Sequence, residues 1–127
     1  MSAKKILLVD DSNTILMMER MILAKHGFAL TTASDGEQAL AKAEKEQPDL
    51  ILMDVVMPRM GGVEALRRLQ QNAKTSAIPV IMVTTRGEAE NVQTAFETGC
   101  TDYVTKPIDS LDLITKIRSC LGEQEWS

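Results

Sequence analysis

Acidic side chains directly follow two short apolar runs of this chain. Asp10 and Asp11 come immediately after ILLV at 6–9, and Asp54 comes immediately after LILM at 50–53. Adjacent carboxylates repel, and each makes the other harder to ionise. Carboxylate oxygens suit Mg²⁺, which takes one or two protein carboxylates and keeps water or phosphate oxygens as its other ligands. We therefore predict a magnesium site.

A hydroxyl group and an ammonium group follow two further runs. Thr84 follows VIMV at 80–83, and Lys106 follows DYVT at 102–105. Taken singly, a polar residue after a strand is often a helix cap or a turn former. Together with carboxylates and a metal ion, the pair can serve phosphoryl transfer. A carboxylate attacks phosphorus, cations neutralise the developing charge, and the Thr84 hydroxyl donates to a phosphoryl oxygen.

Strands and helices must alternate to position these residues. The strand runs begin near residues 6, 28, 50, 79 and 102, with helical patterns between them. Continuous apolar runs are typical of strands buried on both faces, and the alternation predicts a parallel sheet with helices on both sides. In such a sheet, ligands bind at the carboxyl ends of the strands, which is where the polar side chains fall.

The helical patterns carry further predictions. In the first pattern, Met17, Met18 and Met21 are expected to pack in the core, with Glu19 on another face. The sequence SDGE opens the second and predicts a capping box of Ser34 with Glu37. Apolar side chains at helical spacing mark the last three: Val63, Leu66 and Leu69; Val92, Ala95 and Phe96; Leu113, Ile114, Ile117 and Leu121.

The composition suits one globular domain. The 127 residues are 44% hydrophobic and 25% charged, and we expect a single domain over residues 1–127 with no output domain. The net charge of -4 is spread evenly, so we expect no direct contact with nucleic acid. No apolar run approaches the roughly 18 residues of a membrane helix. Cys100 and Cys120 lack a metal-binding spacing and favour a reducing, cytoplasmic location.

The stretches ILLVDDS, LILMDVVMPRMGG, VIMVTT and DYVTKP resemble the receiver domain of two-component response regulators, in that family's order and spacing. They lie within residues 4–122, nearly the whole chain. The resemblance implies a flavodoxin-like α/β fold, a doubly wound five-stranded parallel sheet of order 2-1-3-4-5 with five helices. It also implies a stand-alone member of the family, similar to a chemotaxis regulator.

The resemblance assigns roles to residues at the strand ends, with Mg²⁺ as cofactor. They are the phosphoacceptor Asp54; the metal ligands Asp10, Asp11, Asp54 and the backbone carbonyl of Val56; the switch residues Thr84 and Tyr103; and the phosphate contact Lys106. Asp11 is expected to bind the metal directly, and Asp10 partly through water. The Lys106-Pro107 bond resembles one that is cis in the family. Tyr103 could instead simply pack on an edge strand.

The implied function is a switch activated by phosphorylation. A histidine kinase or phosphotransfer protein donates the phosphoryl group, and the response is altered binding of a downstream protein. The remodelled face comprises the fourth helix, the fifth strand and the fifth helix. We expect a monomer in the cytoplasm, no turnover of an external substrate, and chemotaxis or motility among the candidate pathways.

The chain departs from the family at positions that hold attacking water in many members. These positions are Val56 and Arg86, so we hypothesise a long-lived aspartyl phosphate. Three alternatives remain. A phosphohydrolase usually needs a second acid where Val56 stands, and a flavodoxin-like cofactor carrier would have its phosphate repelled by Asp10 and Asp11. A receiver fold that binds partners without phosphorylation stays open.

Overall fold

Five strands and five helices alternate in this computed structural model, which describes residues 3–85 and 89–122. The strands are β1 (Lys5–Val9), β2 (Ala29–Ala33), β3 (Leu50–Asp54), β4 (Val80–Thr85) and β5 (Asp102–Lys106). The helices are α1 (Asn13–Ala24), α2 (Gly36–Glu46), α3 (Gly62–Gln71), α4 (Ala89–Thr98) and α5 (Ser110–Cys120). The strands pair in parallel in the order β2-β1-β3-β4-β5. This confirms the predicted doubly wound, flavodoxin-like sheet.

Successive side chains of β1, β3 and β4 enter two separate hydrophobic cores. The core on α2, α3 and α4 receives from these strands Leu7, Val9, Ile51, Met53, Val80 and Met82. The core on α1 and α5 receives Ile6, Leu8, Leu50, Leu52, Ile81 and Val83. Because side chains alternate between the faces of a sheet, a strand covered on both faces is apolar throughout. The continuous apolar runs of the sequence have this cause.

The prediction that the α1 methionines pack in the core is wrong. Their exposed fractions are 63% for Met17, 41% for Met18 and 62% for Met21. The face of α1 turned to the sheet instead carries Leu16, Glu19 and Leu23. The apolar stripe of this helix is wider than its contact with the sheet, so the pattern alone did not select the buried side.

The capping box at the start of α2 is also displaced from its predicted position. Asp35 is the N-cap, and its Oδ1 accepts the Gln38 backbone N–H at 2.8 Å. The Ser34 backbone N–H and hydroxyl instead contact the Gln38 side-chain oxygen, both at 3.0 Å. Arg59 holds Asp35 in place through an ion pair of 2.9 Å. Ser and Asp are both favourable N-cap residues. In this structure Asp35 takes the N-cap position and also makes the ion pair with Arg59.

None of the helices described here is long and apolar enough to cross a membrane.

Candidate metal centre

The carboxyl ends of β1, β3 and β5 bring four charged side chains together. One carboxylate oxygen from each of Asp10, Asp11 and Asp54 lies within 4.8 Å of the others. The Nζ atom of Lys106 lies 3.5 Å from Oδ2 of Asp10 and 3.4 Å from Oδ1 of Asp54. Residues as far apart in the chain as Asp10 and Lys106 thus form one cluster.

Strand register accounts for this convergence. Val9 pairs with Met53 in the neighbouring strand, so Asp10 and Asp54 come next on adjacent strands. Asp54 pairs in turn with Val83 of β4. Because parallel strands all end at the same edge of the sheet, polar residues that follow them meet without any long loop.

Burial divides the three carboxylates into an inner pair and an outer one. Asp10 and Asp54 are buried, whereas Asp11 is exposed. Oδ1 of Asp10 accepts the backbone N–H of Ser12 at 2.8 Å. Its Oδ2 is buried and receives no hydrogen bond from the residues that the structure describes, although the Lys106 ammonium group lies 3.5 Å away as an ion-pair partner. Three clustered carboxylates, one with a buried oxygen that lacks a hydrogen bond, make a donor set that fits Mg²⁺.

The electrostatics of the cluster call for more positive charge than Lys106 supplies. Burial, and then the negative charge of Asp10, raise the pKa of Asp54 to about 6, although Lys106 and the backbone N–H of Val56 act to lower it. For Lys106, burial acts to lower the pKa, but the carboxylates of Asp54 and Asp10 outweigh it and the pKa lies above its usual value. One ammonium group therefore faces three carboxylates. A divalent cation held by these carboxylates would balance their charge and favour their ionised forms.

Gly62 allows α3 to begin against the loop that follows β3. A Cβ atom at this position would lie 2.1 Å from the backbone oxygen of Asp54 and 2.9 Å from Cα of Val55. The Gly62 N–H also donates to the Val55 carbonyl at 2.7 Å. The close approach of backbone to backbone fixes the direction in which Asp54 leaves the strand, and only glycine permits it.

Thr84 lies toward the carboxyl end of β4, and Tyr103 lies in β5, where it pairs with Met82. The Thr84 side chain is buried, and its hydroxyl donates to the Thr85 backbone oxygen at 3.3 Å. The half-buried Tyr103 ring meets Phe96 edge to face at a centroid distance of 5.8 Å. The ammonium group of Lys116 lies 5.1 Å from its centroid.

One further expectation is confirmed, and another falls on a residue that the structure does not describe. The Lys106-Pro107 bond is cis, as the resemblance implied. Arg86, the second position expected to affect attacking water, lies outside the described residues. The Val56 side chain is 61% exposed beside the cluster.

Sequence reasoning missed Glu19, which was expected on another face of α1. Glu19 is 1% exposed, and its Oε1 has no hydrogen-bond partner among the residues described. Burial, and then the negative charge of Asp10, raise its pKa to about 8; Lys106 acts to lower it and Asp54 to raise it further. A charged residue on an amphipathic helix ordinarily marks the solvent side, so the sequence held no signal for this buried carboxyl.

Apolar side chains line a groove on the surface of α1. The groove runs between α1 and the segment that joins β5 to α5, and its lining includes Met17, Met18, Met21 and Ile108. At the start of α5, Leu111 is also exposed. Exposed apolar patches of this kind mark interaction surfaces, and methionine adapts to partners of varied shape.

The sequence is similar to response regulator receiver domains. The family model described as the response regulator receiver domain matches residues 6–118. Protein PilH of Pseudomonas aeruginosa is 42% identical over 118 residues, which cover 93% of this chain and 98% of PilH. The alkaline phosphatase synthesis transcriptional regulatory protein PhoP of Bacillus subtilis is 38% identical, but the match covers 96% of this chain and only 50% of PhoP. The chain thus spans about half the length of such transcriptional regulators.

The fold is similar to solved receiver structures. Chemotaxis protein CheY4 of Vibrio cholerae has a TM-score of 0.87 and 34% identity, covering 94% of this chain and 99% of that one. The receiver domain of a sensor histidine kinase from Pseudomonas aeruginosa also has a TM-score of 0.87, with 29% identity, covering 96% of this chain and 100% of that one. The latter contains a magnesium ion coordinated in its active site cleft.

Proposed function

Because the chain belongs to the response regulator receiver domain family, we propose that Asp54 is its phosphoacceptor and that Asp10 and Asp11 hold Mg²⁺ beside it. Receiver domains are phosphorylation switches of two-component systems, and this chain is one of them. The observation that carries the assignment is the meeting of three carboxylates within 4.8 Å, with Lys106 in contact with the inner two.

In the proposed reaction, a carboxylate oxygen of Asp54 attacks the phosphorus of a phosphohistidine on a kinase or phosphotransfer protein. The O–P bond forms as the N–P bond breaks, and the electron pair leaves with the imidazole nitrogen, which takes up a proton. Lys106, 3.4 Å from Asp54, can move its contact from the carboxylate to a phosphoryl oxygen. Bound Mg²⁺ would neutralise charge on the phosphoryl oxygens.

The proposed metal ligands differ in whether their carboxylate oxygens already accept hydrogen bonds. Asp11 is exposed and can turn both oxygens toward a cation. Asp10 commits Oδ1 to the Ser12 N–H, which leaves Oδ2 for the metal or for its bound water. The backbone carbonyl of Val56 completes the proposed protein ligands.

We assign the exposed groove beside α1 to the protein that donates the phosphoryl group. Its lining by Met17, Met21 and Ile108, next to the end of β5, supports this assignment. A donor protein bound along the start of α1 and the segment after β5 would approach the strand ends from the side on which Lys106 and Asp11 lie in sequence.

The output surface is proposed on α4, β5 and α5. The Thr84 hydroxyl, whose partner is a neighbouring backbone oxygen, can turn to a phosphoryl oxygen and draw β4 toward the site. Tyr103 lies between Phe96 of α4 and Lys116 of α5, so its ring would respond to that movement. Such a shift between two states alters the binding of a downstream protein.

The broader setting is likewise a proposal. We propose a monomeric, cytoplasmic protein with a single receiver domain over residues 1–127. The match to 98% of PilH supports the single receiver domain. Chemotaxis or another motility system is the proposed pathway, since CheY4 is named a chemotaxis protein. Turnover of an external substrate is not expected, because Val56 stands where hydrolases carry a second acid.

Treatment with a small phosphodonor and Mg²⁺ tests the assignment by intact mass. We expect the mass to increase by one phosphoryl group in the wild type and in Asp112→Ala, a control that removes an α5 carboxylate paired with Lys116. We expect no increase in Asp54→Ala. An unchanged wild-type mass, or an increase that persists in Asp54→Ala, refutes the phosphoacceptor assignment.

A further inference from the structure

Arg59, in the loop that joins β3 to α3, has a backbone conformation that few residues other than glycine adopt. Its φ is +64°, in the left-handed region, where a residue with a Cβ atom is strained. Among the described residues, the other non-glycine residue with a positive φ is Gln47, the C-cap of α2. A left-handed residue is common at the end of a helix, but Arg59 does not end one. Strain of this kind persists where surrounding contacts impose it.

The contacts that hold Arg59 come from the turn between β2 and α2. A guanidinium nitrogen of Arg59 lies 2.9 Å from Oδ2 of Asp35, which is the N-cap of α2 and is buried. The next residues of the two segments also meet, since a Cβ atom at Gly36 would lie 2.9 Å from the backbone oxygen of Met60. The side chain of Met60 is itself buried. One ion pair and one close approach of backbone thus join the turn to the loop.

The same turn is also bonded to the segment that carries the first two aspartates. Ala33, the last residue of β2, pairs with Val9 of β1, and the Asp10 backbone N–H donates to the Ala33 carbonyl at 3.2 Å. The turn therefore contacts both chain segments that supply proposed metal ligands. One segment is the end of β1 with Asp10, and the other is the loop after β3, which contains Val56.

Two fixed points determine the course of the loop after β3. At its base, the Gly62 N–H donates to the Val55 carbonyl at 2.7 Å, so the chain returns to the strand that it left. At its tip, Arg59 is paired with Asp35. Val56 lies between the base and the tip in sequence, so the direction of its backbone carbonyl depends on both.

We propose that Asp35 and Arg59 are positioning residues for the metal centre: their ion pair holds the loop after β3 and so fixes the direction of the Val56 carbonyl, a proposed ligand of the cation. The left-handed conformation of Arg59 persists because this contact with Asp35 imposes it. The inference rests on the proposed function, since Val56 matters here as a ligand of Mg²⁺. Residues that hold metal ligands in place typically change metal affinity by about 10–100-fold when they are replaced.

Calorimetric titration with Mg²⁺ at neutral pH tests this role without requiring phosphorylation. Asp35→Ser removes the ion pair but keeps a favourable N-cap for α2, and we expect the Mg²⁺ affinity to fall about tenfold. Arg59→Gly removes the same pair and relieves the strain of the positive φ. Because an ion pair of an exposed arginine contributes little to stability, we expect the same loss of affinity without a loss of stability. Arg59→Lys keeps a cation at the strained position and should retain most of the affinity.

Two further variants separate the ion pair from a general effect on the backbone. Gln47→Gly is the matched control, because it relieves the other positive φ at the opposite end of α2, and we expect it to leave the Mg²⁺ affinity unchanged. The double variant of Asp35→Ser with Arg59→Gly should lose no more affinity than either single variant, since both substitutions remove one and the same interaction.

Amide hydrogen exchange in the absence of Mg²⁺ measures the hold on the loop directly. We expect the Gly62 amide to exchange faster in Asp35→Ser and in Arg59→Gly than in wild type, because local opening of the loop becomes easier. The Ile51 amide, which donates within the sheet to the Pro79 carbonyl at 3.0 Å, should exchange as in wild type. Unchanged exchange at Gly62 in both variants contradicts the proposal.

The affinities decide between this role and a structural one. Wild-type Mg²⁺ affinity in Asp35→Ser or Arg59→Gly overturns the proposal, as does a double variant whose loss equals the sum of the two single losses. If Asp35→Ser does not fold by circular dichroism, Asp35→Asn replaces it under the same criteria. A wild type that binds no Mg²⁺ refutes the metal centre and this role with it, whereas the phosphoacceptor assignment is read separately from the intact mass of Asp54→Ala.

Discussion

Lys106 Nζ lies 3.4 Å from Oδ1 of Asp54, so a cation at the end of β5 faces a buried carboxylate at the end of β3. This ammonium group acts to lower the pKa of Asp54, whereas burial and the charge of Asp10 raise it to about 6. The state of Asp54 without metal is therefore a balance between one nearby cation and a buried, negatively charged surrounding.

Removal of the Lys106 ammonium group should change the pKa of Asp54. Lys106→Met is expected to raise the pKa of Asp54 above its wild-type value when Mg²⁺ is absent, because burial and Asp10 then act unopposed by the lysine. Carboxyl-carbon NMR across a pH titration measures the change. Lys116→Met, a control that removes an ammonium group beside Tyr103, should leave the Asp54 titration as in wild type, and an unchanged pKa in Lys106→Met contradicts the argument.

Asp11 should be needed for metal binding but not for folding. The residue is exposed, and surface substitutions usually change stability by within about 0.5 kcal/mol. We expect Asp11→Ala to abolish Mg²⁺-dependent phosphorylation while its urea midpoint stays at the wild-type value. Phosphorylation at the normal rate in this variant would show that Asp11 is not a metal ligand.

Adjacent glycines at the start of α3 offer a matched pair of substitutions. A Cβ at Gly62 would lie 2.1 Å from the Asp54 backbone oxygen, whereas at Gly61 the nearest contact is an ordinary 3.4 Å. Gly62→Ala should destabilise the fold by about 1–3 kcal/mol, the usual effect of overpacking, and displace the Asp54 loop. Gly61→Ala, at the N-cap of α3, should cost less, about 0.5–1 kcal/mol, since alanine is a poorer N-cap than glycine. Urea unfolding compares them, and equal losses would refute this steric explanation.

Val56 should prolong the life of the phosphorylated state. Its exposed apolar side chain offers no hydrogen bond to orient an attacking water beside Asp54. Val56→Asn supplies an amide at the same position and is expected to shorten the half-life of the aspartyl phosphate, measured as loss of label in Mg²⁺. A half-life of seconds in the wild type that Val56→Asn leaves unchanged would contradict this prediction.

The inner part of the site could be predicted because strand ends depend on local pattern alone. Asp10, Asp54 and Lys106 each follow a run that had to be a strand, and a parallel sheet brings such ends together. Glu19 could not be found in this way, since its burial depends on how α1 rotates against the sheet.

Two other misses have the same physical origin. The exposure of Met17 and Met21 also follows from the rotation of α1, and the apolar stripe tolerated more than one orientation. The N-cap at Asp35 is accompanied by a contact with Arg59, 24 residues away. The local spacing of residues cannot predict such a contact. Contacts between segments distant in the sequence determined the rotation of α1 and the position of the N-cap, which the local residue pattern did not determine.

The buried Glu19 should make the fold less stable as pH rises when Mg²⁺ is absent. Its pKa rises from 4.5 to about 8 on folding through burial and then Asp10, so between these values the folded state holds a proton that the unfolded state releases. Stability from this group is complete below pH 4.5 and is lost as pH rises through about 8, with a slope of at most about 1.4 kcal/mol per unit.

Urea unfolding of wild type and Glu19→Gln from pH 5 to pH 9 isolates this contribution, because Asp10, Asp54 and Lys106 remain in both proteins and glutamine does not titrate. We expect the stability of Glu19→Gln relative to wild type to grow across this range and to level off above the folded pKa of about 8. A difference that stays constant from pH 5 to pH 9 would mean that Glu19 titrates alike in the folded and unfolded states, and so is not held neutral by its burial beside Asp10.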